Sequence, residues 1–81
     1  MKSIRFLREA ELDTSHAAVC LRAVVDGQRM VFWVSVDFLD QHYHTPSDWP
    51  DVVFDRNRRD IEDFVTRGVQ NGTLVGRSVA I

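Results

Sequence analysis

The chain is poor in the residues that small proteins use as staples. Its 81 residues include a single cysteine, Cys20. No disulfide can form within the chain, and a lone thiol suits a reducing compartment better than a secreted framework. A structural zinc would be short of soft ligands for the same reason. Two prolines and four glycines leave little material for linkers, and no repeat or low-complexity stretch divides the chain. Charge of one sign is missing as well. Ten basic and 12 acidic residues give a formal net charge of −2, without the basic surplus that draws nucleic acid or anionic lipid. No apolar run approaches the ~20 residues of a membrane span. The opening Met1-Lys2-Ser3-Ile4-Arg5-Phe6 lacks the apolar stretch of a signal peptide, so the chain is expected to be mature from Met1 and cytoplasmic. What is present is 44% hydrophobic residues, enough for one core in a single domain over residues 1–81. At this size a margin of about 3–5 kcal/mol is ordinary, and it has to come from tight packing or from oligomerisation.

Periodicity places the elements. Ser3 to Leu7 reads as a short strand with Ile4 and Phe6 on one side, and the polar stretch Arg8 to Ser15 as a loop. Ala17, Val19, Leu21, Ala23 and Val25 recur at period two, which predicts a strand with one wholly apolar face. Asp26-Gly27 is a two-residue type I′ turn signal, since both positions need positive φ. Arg29 to Val34 is then the return strand, with Leu21 opposite Phe32 and Val19 opposite Val34. The same register pairs Cys20 with Trp33, Arg22 with Val31 and Val24 with Arg29 on the other face. A slip by one residue would turn the apolar set outward.

Ser35 is placed to cap a short helix, Val36 to Tyr43, with Asp37 in the first turn, where the helix dipole favours an anion. A second, longer helix is predicted from a cap at Asp48, through Pro50 in the first turn, to Gln70, ending at Asn71-Gly72. Val53, Phe54, Ile61, Phe64, Val65, Gly68 and Val69 form its apolar stripe. A glycine inside a helix costs about 1 kcal/mol against alanine, so Gly68 implies close approach to the sheet. Thr73 to Ile81 reads as a last strand. The fold class is α+β: a small antiparallel sheet in β-β-β-α-α-β order, with the long C-terminal helix and the short helix packed on it.

Certain segments in this order carry a resemblance. They are Ile4-x-Phe6, the apolar strand ending Val25-Asp26-Gly27, and the run Ser35-Val36-Asp37-Phe38-Leu39-Asp40-Gln41-His42. Phe54-Asp55-Arg56-Asn57-Arg58-Arg59-Asp60-Ile61-Glu62 completes the set. Together they resemble the short bacterial proteins grouped as domain of unknown function 1488. The resemblance implies an α+β fold, a bacterial cytosolic home and no assigned activity, and it brings no catalytic residues.

The residues themselves offer little chemistry. His42-x-His44 with Asp40 and Asp48 is the one cluster of metal-ligand type, but a helix end and a proline loop would have to supply every ligand. Cys20 as a nucleophile needs a neighbouring base, and His16, four residues along the strand, lies about 13 Å away. Arg56, Arg58, Arg59 and Arg67 are interleaved with Asp55, Asp60, Glu62 and Asp63, which leaves little counterion-release energy for nucleic acid. Asn57 and Arg58 fall at the edge of the apolar stripe, as a recognition pair in a groove or with Arg58 laying its stem on the core and bonding a neighbouring loop. No phosphate loop, nucleophile elbow or carboxylate pair appears, so no enzyme and no cofactor are expected.

The sequence points instead to an interaction or accessory module, self-associating or bound to another protein. Its candidate surface is Cys20, Val24, Val31 and Trp33, more apolar area than a helix layer on the other face can cover. Either the short helix folds over Trp33 or a second subunit does. The alternative is a nucleic-acid-associated regulator using Arg56, Arg58 and Arg59.

Overall fold

The computed structural model describes residues 2–43 and 49–81. Strands β2 (Ala18–Val25) and β3 (Gln28–Ser35) form the hairpin that organises the sheet. Their register pairs Leu21 with Phe32 and Cys20 with Trp33, as the turn chemistry and the burial pattern predict. Asp26 and Gly27 take φ of 49° and 82°, the two positive values the tight turn requires. Strand β1 (Ile4–Asp13) lies antiparallel beside β2, and β4 (Ser78–Ala80) closes the other edge, giving a four-stranded sheet in the order β1-β2-β3-β4.

Two of these strands depart from the sequence reading. β1 runs on to Asp13 where a loop from Arg8 is expected. A bulge explains the difference: Phe6 opposes Ala23 and Ala10 opposes Leu21, so Leu7, Arg8 and Glu9 all stand against Arg22. Beyond it Ala10 and Leu12 resume the inward alternation. The last strand is shorter than predicted and pairs parallel with β3, through Val31–Ser78, Phe32–Val79 and Trp33–Ala80. Only the first three strands are antiparallel, because the helices carry the chain back to start β4 at the same end as β3.

All three helices found among the described residues pack on one face. Helix α1 (Val36–Tyr43) begins where Ser35 Oγ accepts from the Phe38 N–H at 3.0 Å, the predicted cap. The long helix is two: α2 (Pro50–Arg56) and α3 (Arg58–Gln70), broken at Asn57. The Asn57 side-chain amide donates to the Val53 carbonyl at 2.9 Å, and Asn57 itself sits at φ −114°, outside the helical range. A side chain that competes for the ladder in this way bends a helix. Asp48, the predicted cap, lies outside the described residues, and the N-cap position of α2 falls on Trp49.

The core unites Val19, Leu21, Ala23, Val25, Phe32 and Val34 from the sheet with Phe38, Leu39, Val53, Phe54, Ile61, Val65 and Val69 from the helices. Phe64 belongs to the predicted stripe but is 38% exposed, at the edge of that layer against Phe38. Gly68 is buried, though not against the sheet. A Cβ there would stand 2.6 Å from Leu74 Cγ and Cδ1. The close approach is made by the chain as it turns back after the helix, where the Thr73 and Leu74 N–H groups both bond the Gly68 carbonyl. Gly72, at φ 82°, ends α3 at the predicted Asn71-Gly72 signal.

Candidate functional site

Side chains alternate across a strand, so the register that buries Leu21 and Phe32 sends the neighbouring residues to the opposite face. Of that face Arg5, Glu11 and Asp13 come from β1; Ala18, Cys20, Arg22 and Val24 from β2; Arg29, Val31, Trp33 and Ser35 from β3; Ser78 and Ala80 from β4. The apolar helix residues join the core on the other side, and α1 buries Phe38 and Leu39 there. The short helix therefore does not fold over Trp33, as the sequence reading allowed.

Trp33 is held by other means. The His16 ring lies flat on it, with centroids 4.0 Å apart and planes 12° from parallel, and the indole N–H donates to Ser78 Oγ at 2.9 Å. His16 is fixed in turn by Asp13. One carboxylate oxygen of Asp13 accepts from the Ser15 hydroxyl at 2.6 Å and from the Ser15 N–H at 3.0 Å, and the other lies 3.0 Å from His16 Nδ1. These bonds, led by the Ser15 hydroxyl, hold the Asp13 carboxyl below its usual value. The sequence reading passed over this brace. Its one signal is Asp13-Thr14-Ser15, a pattern in which an aspartate bonds the backbone two residues on.

The predicted surface residues come together as expected, but unequally. Cys20 is only 5% exposed, and its thiol makes no hydrogen bond among the described residues. His16, the base considered for it, is committed to Asp13 and Trp33. Val24, Val31 and Trp33 are half-buried, although none of the helices among the described residues lies over them. Around them sit charges without partners among the described residues. Arg5, Glu11, Arg22 and Arg29 are exposed and make no ion pair or side-chain hydrogen bond among the described residues. Their arrangement is polar along the strands. Glu11 and Asp13 mark one end of the face, and Arg5, Arg22 and Arg29 the other.

Asn57 and Arg58 belong elsewhere. Asn57 breaks the helix, and Arg58 is used up inside the fold. Its guanidinium donates to the Arg8 carbonyl at 2.6 Å, to the Leu7 carbonyl, and through Nε to Glu62 at 2.9 Å, while its carbon atom Cζ lies 5.8 Å from the Phe54 ring centre. This planar fork ties α3 to the carbonyls that the bulge in β1 leaves free. Both side chains are thus engaged within the fold.

Other chemistry finds little footing. Among the described residues no three His, Cys, Asp or Glu side chains gather into a metal-binding group; His44 and Asp48 of the considered cluster lie outside those residues. A groove of about 360 Å³ beside α3 is lined by Phe64, Arg67, Gly68, Asn71, Thr73 and Leu74, with no acid or base to act in it. No helix among the described residues is long and apolar enough to cross a membrane.

Residues 4–74 match the family described as Protein of unknown function (DUF1488). No curated protein and no solved structure matches the chain.

Proposed function

We propose that this chain, which belongs to the DUF1488 family, is a protein-interaction module that docks a polypeptide on the helix-free face of its sheet. One observation carries the reading. Val24, Val31 and Trp33 share a face with Arg5, Glu11, Arg22 and Arg29, whose charges have no partner among the described residues. Large aromatics at the centre of a patch, rimmed by unpaired charges, are the composition of a contact surface. The brace on Trp33 adds to it, since a side chain already ordered loses little entropy on binding.

The nucleic-acid reading through the long helix has less support. Arg58 is spent on β1 and Glu62, and on α3 the exposed Arg59 and Arg67 are interleaved with the exposed Asp60 and Asp63. An enzymatic reading through Cys20 lacks support, since the thiol is buried and has no base beside it among the described residues. A lone cysteine and the mixed charge fit a cytoplasmic setting.

Photo-crosslinking in cells tests the proposal. A photoreactive residue at position 31 should yield protein adducts, whereas the same residue at position 59, on the exposed side of α3, should not. Adducts from both positions alike, or from neither, would overturn the reading.

A further inference from the structure

We infer that the occupant of the helix-free face is a second copy of this chain, docked sheet to sheet about a two-fold axis that runs across the strands. The inference rests on the reading of that face as a contact surface, and its warrant is the order of the charges along it.

Four rows cross the sheet. From one end they are Asp13–Ala18–Ser35, Glu11–Cys20–Trp33–Ala80, Arg22–Val31–Ser78 and Arg5–Val24–Arg29. A two-fold that brings one face onto its copy must lie in the plane of contact, and aligned packing keeps the strands of the two sheets within about 30° of each other. The axis therefore runs either along the strands or across them.

An axis along the strands keeps the ends in place. Set between β2 and β3, it would leave Arg5 one strand from the partner's Arg29 and Arg29 one row from the partner's Arg22, and would bring Glu11 and Asp13 no basic residue. Like charges at that range repel. An axis across the strands exchanges the ends. Passing between the second and third rows, it sets Trp33 over the partner's Val31 and Ala18 over the partner's Val24. Asp13 then faces the partner's Arg5, and Glu11 comes one strand, about 4.8 Å, from the partner's Arg22. Arg5, Glu11 and Arg22 each gain an opposite charge, twice over by symmetry, with the apolar residues at the centre.

The face is large enough. Four rows and four strands measure about 20 Å by 14 Å between backbones. With side chains this makes roughly 500–600 Å² per copy, about 1,000–1,200 Å² in all, at the lower end of specific interfaces. The same geometry offsets the two Cys20 side chains, each lying over an Arg22, so the dimer has no disulfide.

Charge exchange on the full chain tests this. Sedimentation at low salt should show a dimer for the wild type. Arg22→Glu and Glu11→Arg are both exposed substitutions, and each should raise the dimer dissociation constant by about tenfold or more. The double variant, Glu11→Arg with Arg22→Glu, should dimerise again to within about threefold of the wild type. Circular dichroism of each variant separates lost pairing from lost folding. A wild type that stays monomeric at several hundred micromolar overturns the inference, as does a folded double variant that stays apart. If position 31 still cross-links to a different protein in that case, the contact face stands and only the identity of its occupant falls. Salt-dependent binding of a single-stranded oligonucleotide by the monomer, lost in Arg22→Glu and not regained in the double variant, would assign the arginine end to nucleic acid and overturn the dimer.

Discussion

Tyr43 is the chain's one tyrosine, and its phenol donates to an Asp60 carboxylate oxygen at 2.8 Å, joining the end of α1 to α3. Burial, and then that bond, push its pKa from 10.0 up to about 12. The neutral phenol is the form the fold favours. Its contribution to stability is therefore complete below pH 10 and is lost as pH climbs from 10 to about 12. Ultraviolet titration should find the phenolate forming near 12 in the folded protein and near 10 in denaturant, and Tyr43→Phe should flatten the alkaline loss of stability. Gly68 supports a second expectation at this scale. Alanine there would gain about 1 kcal/mol of helix propensity, yet its Cβ would stand 2.6 Å from Leu74 Cγ. Gly68→Ala should therefore destabilise by about 1 kcal/mol in urea, and should cost markedly less in a Leu74→Ala background, since coupled neighbours are not additive. A stabilised Gly68→Ala would show that Leu74 yields freely.

Among elements, the junction of α3 with the bulge in β1 depends on Arg58. Lysine keeps the charge but loses the fork that reaches the Leu7 and Arg8 carbonyls and Glu62 together. Arg58→Lys should cost about 1–3 kcal/mol in chemical denaturation, and a loss below about 0.5 kcal/mol would reduce the fork to a surface contact. The same junction shows what the sequence could and could not reveal. The β2–β3 hairpin was legible because Asp26-Gly27 and the apolar alternation are separate signals that agree on one register. The Ser35 cap and the Asn71-Gly72 stop were legible because each acts within one turn of its own position. The second half of β1 was not, since a bulge breaks the period and Arg8-Glu9 inside it reads as loop. The break at Asn57 was hidden for the opposite reason: the apolar stripe continues across it, and a single side-chain bond makes the bend. Of the candidate surface, Cys20, Val24, Val31 and Trp33 followed from register alone. Glu11 and Asp13 depended on the bulged strand, and His16 on a contact between a turn and a strand that no local pattern encodes.

For the whole molecule, the uneven layering matters more than any one contact. Helices cover one side of the sheet, and the strand that completes it comes from far along the chain. β4 joins β3 over three residue pairs, through backbone bonds such as Val31 N–H to the Arg77 carbonyl at 2.8 Å and Ile81 N–H to the Trp33 carbonyl at 2.9 Å. β1, β2 and β3 need only short loops to meet, whereas β4 must wait until the helices have spanned the sheet. Loop closure of that kind comes late and is slow. Until β4 is paired, the β3 edge is open and Trp33 lacks Ser78 as an acceptor. Short edge strands open at little cost in free energy, so the indole's hold on Ser78 is only as lasting as the pairing of a three-residue strand.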